Sequence, residues 1–230
     1  MTRRFLLCAS ILFLVAGCAP RLQGDGVATV VERRLDAFST LEVSGPIAVE
    51  VEVDPKAVPG MHLEGDENLV SHVSWDLAGG ALRIDAQGLS PVVPLRLTLR
   101  TTALGDVSSF AGASVTVQKL KGGRVALRAS SSARLHAWDV DCDALVLEAR
   151  GGSRVEAQGR ARVVDASASD ESDVVALAVD ARVATVLAEH LSTIHVSARE
   201  HVEGHAFGSS EVRVHGAPSR TDIEGQPGQS

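Results

Sequence analysis

Apolar and polar residues alternate along most of this chain, and the alternation returns about every 20 residues. The clearest copies are Ala113–Val117, Ala133–Ala137, Ser153–Ala157, Ser172–Ala176, Ser192–Val196 and Ser210–Val214. Each begins with a small residue, carries Val, Leu or Ile third, and carries Ala or Val fifth. The steps between the central apolar residues are 20, 20, 19, 20 and 18. A second set keeps the same phase: Val125–Ala129, Leu145–Ala149, Val164–Ala168, Ala184–Ala188 and Val202–Ala206. The last alanine of each lies six residues before the next apolar centre. Two segments held in phase through five copies indicate a solenoid, in which each repeat buries its apolar face against its neighbours.

Within each copy the period is two, so successive side chains point to opposite faces of a strand. No eleven-residue window of the repeats sustains a helical stripe, and the branched centres favour strands. The chain is therefore expected to be all-β, a parallel β-helix with about 20 residues per coil and clear repeats over 105–216. Six coils at a 4.8 Å spacing would stack to about 30 Å. Corners are expected at Ser130-Ser131-Ser132, Gly151-Gly152 and Gly208-Ser209, where the backbone needs positive φ or close approach.

The first third is also strand-like but less regular. Alternation is clear in Leu41–Val43 and Ile47–Val53, and Pro55, Pro59 and Gly60 break the run. Further strands are expected over Met61–Glu64, Val73–Leu77, Leu82–Asp85 and Leu95–Thr101. Leu95 and Leu97 lie 20 residues before Val115 and Val117, so coils are expected to begin upstream of the clear repeats. The remaining segments would form irregular coils or a cap, which an open solenoid end needs to avoid edge-to-edge association.

Residues 1–17 are read as a signal peptide: Arg3 and Arg4 precede an apolar run, Phe5–Ala16, too short to span a bilayer comfortably. Val15-Ala16-Gly17-Cys18 resembles the bacterial lipoprotein cleavage box, which makes Cys18 the expected lipidation site. Ala19 follows, not Asp, which by resemblance to enteric sorting rules favours the outer membrane, facing the periplasm. Residues 18–32 are read as a tether, 33–224 as the folded domain and 225–230 as a tail.

After loss of residues 1–17, 20 basic residues face 29 acidic ones, a net charge of -9. An acidic surface repels phosphate backbones, which excludes nucleic acid as a partner. With Cys8 in the signal and Cys18 lipidated, only Cys142 remains, so no intramolecular disulfide is available. Asp141 and Asp143 flank that thiol and disfavour its thiolate.

Several motifs resemble the GIN-domain family of auto-transporter adhesin heads. They are Phe38-x-x-Leu41-x-Val43-x-Gly45-x-Ile47-x-Val49, Leu63-Glu64-Gly65-Asp66-Glu67-Asn68-Leu69-Val70, Ala81-Leu82-Arg83-Ile84 and Gly112-Ala113-Ser114-Val115. Ala81 stands where the family has glycine. Later copies, such as Ser132-Ala133-Arg134 and Glu171-Ser172-Asp173, depart from the Gly-Ala-Ser signature. The resemblance covers about residues 33–224 and implies a right-handed β-helix. It implies little chemistry.

Asp165, Asp170, Glu171 and Asp173 form an acidic group along one coil, the arrangement of a Ca²⁺ or sugar site on a β-helix enzyme. A solvated corner explains the same residues, and no long insertion supplies a cleft wall. His136 and His195 share an outward column but sit three coils, roughly 14 Å, apart, too far to share a metal. His201 and His205 lack a third ligand. Ser153, Ser172, Ser192 and Ser210 recur at every coil, which the repeat itself explains. Arg128 with Glu148, and Arg154 with Asp173, are expected cross-coil pairs. No nucleophile elbow, phosphate loop or dinucleotide fingerprint occurs. The expectation is a lipid-anchored cell-envelope protein without catalytic residues, cofactor or metal, binding an envelope protein or polysaccharide through a flank. A carbohydrate-active β-helix enzyme or a polysaccharide-binding module is the alternative. Aromatic platforms are scarce: Trp75, Trp138 and a few Phe, with no Tyr.

Overall fold

A computed structural model describes residues 21–225, and the expected signal peptide, Cys18 and residues 226–230 lie outside them. The strands of the first third are β1 (Leu22–Gln23), β2 (Ala28–Arg34), β3 (Thr40–Ser44), β4 (Ile47–Val53) and β5 (Gly60–Asp66). One helical turn, α1 (Glu67–Val70), follows, then β6 (Ser74–Ala78), β7 (Ala81–Asp85), β8 (Leu89–Ser90) and β9 (Leu95–Thr101). The rest comprises β10 (Asp106–Phe110), β11 (Ser114–Gln118), β12 (Lys121–Ser130), β13 (Arg134–Arg150), β14 (Arg154–Ser169), β15 (Asp173–Ala188), β16 (Thr193–Ala206), β17 (Glu211–His215) and β18 (Arg220–Glu224). The expected parallel β-solenoid is present, with about six turns spaced about 20 residues apart.

Two long flanks and a short third side make up each regular coil. The first flank runs β6, β7, β3, β10, then the second halves of β12 to β16, then β18. The second flank runs β2, β5, β9, β4, β11, then the first halves of β13 to β16, then β17. The short side pairs Cys142 with Gly122 and with Ala161. Counting the irregular end layers, the second flank spans about nine steps of roughly 4.8 Å, or about 43 Å.

Repeated apolar centres fill the interior: Val155, Val174 and Ile194 are fully buried, as are Ala137, Ala176 and Val196. Branched and small side chains suit this interior because two facing strands leave room for only one interdigitated layer. The register matches the sequence alignment, with Leu135 beside Val155, Val155 beside Val174, and Val174 beside Ile194.

The first third departs from chain order. Val115 stacks on Val49 of β4, and Leu97 of β9 lies one layer beyond. The 20-residue offset from Leu97 to Val117 is therefore not a coil step, because β3 and β4 are inserted between the layers of β7, β9 and of β10, β11. The described part of the expected tether is also folded. Leu22–Gln23 pairs in parallel with Leu89–Ser90, and Ala28–Arg34 pairs antiparallel with Gly60–Asp66. Alternation through Thr29, Val31 and Arg33 was too short and too charged to stand out as a strand. Pairing with β5 supplies what the local pattern lacks.

Corners between the flanks carry two successive left-handed residues: Ser131-Ser132, Gly151-Gly152, Asp170-Glu171, His190-Leu191 and Gly208-Ser209. Non-glycine residues disfavour this conformation by about 1–2 kcal/mol each. Axial hydrogen bonds hold it: Ser132 N–H donates to Gly151 O at 2.9 Å, Gly152 to Asp170 O at 2.8 Å, Glu171 to His190 O at 2.9 Å and Leu191 to Gly208 O at 3.0 Å.

Directly after the last four of these corners stands a buried serine, where Ala133 follows the first. The N–H of Ser153 donates to Ser172 Oγ, that of Ser172 to Ser192 Oγ, and that of Ser192 to Ser210 Oγ, at 3.1–3.2 Å. The next residue reverses direction: Asp173 N–H donates back to Ser153 O at 2.9 Å. Where the backbone switches partner coil, the hydroxyl supplies the acceptor. Ser172→Ala is expected to leave the Ser153 amide without its acceptor and to cost about 1–3 kcal/mol in urea unfolding. Ser167→Ala, on the outward side of the same coil, should cost less than about 0.5 kcal/mol. Equal midpoints for the two variants would refute the ladder's contribution.

Candidate binding surface

The expected acidic group does not converge. Asp165 is exposed on the first flank, in register with Val146 and Thr185. Asp170 and Glu171 form the exposed corner, and Asp173 opens the second flank, where Arg154 Nη1 lies 3.4 Å from its Oδ2. The left-handed pair turns the chain between Asp165 and Asp173, so the two carboxylates face different flanks. Asp165 instead heads a column continued by Thr185, Glu203 and Asp222.

Most charged side chains on the regular coils serve neighbouring coils. Arg128 sits 3.5 Å from Glu148 and 3.3 Å from Asp106, Arg160 sits 3.1 Å from Asp141, and Arg182 sits 2.8 Å from Glu200. These pairs are solvent-accessible, so each contributes about 0–1 kcal/mol.

The second flank carries the outward column Glu50, Thr116, His136, Glu156, Val175, His195 and Arg213. His136 stacks on the half-exposed Trp138 with ring centroids 4.0 Å apart and planes 25° apart. Gln158 Nε2 lies 3.4 Å from His136 Nε2. Together these side chains form a flat aromatic platform edged by amide and carboxylate groups. Three coils on, His195 stacks on His215 at 5.7 Å. Burial, then the Arg213 guanidinium and His215, lowers the His195 pKa, which keeps that ring neutral at physiological pH. On the first flank, His201 Nε2 lies 3.1 Å from Glu203, and His205 stacks on Phe207 at 5.5 Å. Among the described residues, no three His, Cys, Asp or Glu side chains are grouped to hold a metal ion.

Cys142 lies on the short side, half-buried against the core. Burial first, then Asp141 and Asp143, pushes its thiol up to about 11, so it stays protonated and unreactive at neutral pH.

Two residues of the Gly65–Asn68 element do work that the sequence pattern did not reveal. Asp66 is wholly buried, and its carboxylate accepts the N–H groups of Gly26 (2.8 Å), Val92 (2.9 Å) and Val93 (3.1 Å). Burial alone would raise its pKa. The N–H groups of Val93, Gly26 and Val92, with its own, outweigh that and hold it below the ordinary value. Asn68 donates to Gln23 O at 2.8 Å and accepts from Asp25 N–H at 3.1 Å. Gly24 is required here, since a Cβ at that position would collide with the Asp66 carboxylate. The pair therefore clasps residues 23–26 onto the end of the solenoid. The available signal was a charged residue at Asp66 on the end of an alternating strand, directly after Gly65.

Further along the same strand as Asp66, His62 of β5 bridges two glutamates: Nδ1 lies 3.0 Å from Glu32 on β2, and Nε2 lies 2.9 Å from Glu64. Both ring nitrogens donate only in the imidazolium. Hydrogen bonds to Glu64 and then Glu32 raise the pKa above 6.5. A raised folded value means the stabilisation is complete below pH 6.5 and is lost as pH climbs through the folded value. Wild type should melt above His62→Gln at about pH 5.5, and the gap should close by about pH 9. A gap that is constant across this range would show that the bridge does not titrate.

Residues 37–218 match the protein family described as "Putative auto-transporter adhesin, head GIN domain". No curated protein matches the chain. Among solved structures, a Bacteroides fragilis protein described as "a putative adhesin" superposes with TM-score 0.81 at 12% identity, covering 88% of this chain and 94% of its own. A Parabacteroides distasonis protein described as a "Putative lipid binding protein" gives TM-score 0.72 at 18% identity, covering 88% and 96%. A Parabacteroides merdae protein, also described as "a putative adhesin", gives 0.68 at 16% identity, covering 89% and 96%. At these identities the likeness concerns the fold.

Proposed function

The chain belongs to the family of head GIN domains, and from that premise we propose that it is a non-enzymatic cell-envelope protein that binds a partner through its second flank. Cys18 carries the lipid and places the protein in the outer membrane, facing the periplasm. The observation that carries the binding assignment is the exposed Trp138, held flat by the His136 ring at 4.0 Å. An aromatic face left half-exposed on an otherwise charged flank is available for stacking on a partner, and such residues dominate interface energetics. The descriptions of the family and of two structural neighbours as adhesins agree with a binding role. The same platform favours a polysaccharide-binding module as the second reading, because a sugar ring stacks on a tryptophan face.

A non-enzymatic role is supported by the dispersal of the acids. Catalytic carboxylates must converge in a shielded site where their environments differ, whereas Asp165 and Asp173 lie on separate flanks. Cys18→Ala should abolish acyl attachment and release the protein from the membrane fraction. Retention of an unacylated variant would refute the anchor.

Affinity capture from envelope extracts with the soluble domain should identify the partner. Trp138→Ala should weaken its binding by roughly 30-fold, the effect of removing a contact worth about 2 kcal/mol. Unchanged binding would move the interface off this flank. The domain should turn over none of a panel of envelope and plant polysaccharides, with or without Ca²⁺. Turnover lost in Asp165→Asn or Asp173→Asn would install the enzyme reading instead.

A further inference from the structure

We propose that the N-terminal end of the solenoid is a membrane-seating face, which rests the end strands on the headgroup layer of an anionic bilayer. The proposal rests on Cys18 being the lipid anchor.

Only three residues, 19–21, separate Cys18 from Leu22, which is already hydrogen-bonded into the fold through its N–H to Gly88 O at 2.9 Å. Four residue steps reach at most about 14 Å. A 15-residue tether would have let the domain tumble freely above the bilayer. With the chain fixed from Leu22 onward, an acylated Cys18 brings the end of the solenoid into the headgroup region.

The surface found there suits that contact. Leu22 is 39% exposed, Val27 is 53% exposed and Val92 is 56% exposed. Val92 lies directly against Gly26, since a Cβ built there would stand 3.6 Å from Val92 Cγ1. The three apolar side chains therefore gather around the point where the chain enters the fold. Asp66 fixes the patch by accepting from Gly26, Val92 and Val93, and Asn68 holds Gln23 and Asp25. A rigid apolar patch loses little conformational freedom when it meets the interface.

Charge is distributed to match. Among the described residues, Arg21, Arg33 and Arg34 have no carboxylate within salt-bridge distance, whereas nearly every arginine of the regular coils does. Of the nearby acids, Asp25 accepts from Val27 N–H, Glu32 is bound to His62, and Glu67 is exposed beside Val27, to whose carbonyl its own N–H donates. Arg33 and Arg34 close the outermost strand, β2, whose other end follows Val27. Arg21 beside Leu22, with Arg33 and Arg34 at the far end of the same outermost layer, suits an interface of anionic headgroups over acyl chains. The flank bearing Trp138 then stands side-on to the membrane, and the last coil lies about 43 Å away along the axis.

The test uses the full chain, produced with its anchor and reconstituted into vesicles of phosphatidylethanolamine and phosphatidylglycerol. In a Cys142→Ser background, single cysteines replace Val27, Val92 or Asp222 and carry nitroxide labels. The mass of the N-terminal peptide reports acylation of Cys18. Accessibility to a water-borne paramagnetic relaxer should fall at 27 and 92 on incorporation and stay unchanged at 222. Acylated protein whose labels at 27 and 92 remain as accessible as that at 222 would overturn the seating face and leave the anchor standing. An unacylated Cys18 would overturn both.

Discussion

Hydrogen bonding along the solenoid axis is the constraint from which the rest follows. A parallel coil has no partner within itself, so each N–H and C=O must find one in the coil above or below. That requirement fixes the spacing of 20, 20, 19, 20 and 18 residues between apolar centres. It also explains why residues such as Ser132, Glu171 and Leu191 are tolerated with positive φ. Their amides point along the axis, and stacked corners hold them there. The buried serines solve the same problem at the corner where successive amides turn from one neighbouring coil to the other.

A surface generated this way is a set of columns. A side chain's neighbours lie one coil away, about 4.8 Å off, rather than at the mouth of a cleft. Arginines and acids in adjacent columns meet across coils and neutralise one another, as Arg128 does between Asp106 and Glu148. What stands out against that background is the half-exposed face of Trp138 on the second flank, and the apolar groups and arginines at the N-terminal end.

The regular coils were legible in the sequence because every copy repeats the same local demand. Centres such as Val155 and Val174, the alanine phase and the serine column all follow from alternation and period. The cap was less legible because its partners are distant in the chain. β2 becomes a strand only through β5, and β4 lies beside β9 and β11 only through pairings that no local pattern records. The surface was partly legible. The column holding His136 and His195 followed from register, and Arg154 was matched with Asp173. Trp138 was visible only as a scarce aromatic, although His136-x-Trp138 on an outward column places the two rings on one face. Asp66 was visible as part of a motif, while its three backbone partners lie 26–40 residues away.

The inserted position of β3 and β4 has a consequence for how the chain acquires its structure. Their layer lies between one built from β7 and β9 and another built from β10 and β11. Residues 40–53 therefore find both neighbours only after the chain through residue 118 is present. From there the remaining coils can add one at a time, each on a finished template, with short-range closure. The fold thus divides into a slow, non-local nucleus and a fast, zipper-like extension. A chain emerging from its N-terminus would hold β3 and β4 with one edge open until residue 118 had emerged. It would then complete its second half almost as quickly as it emerged.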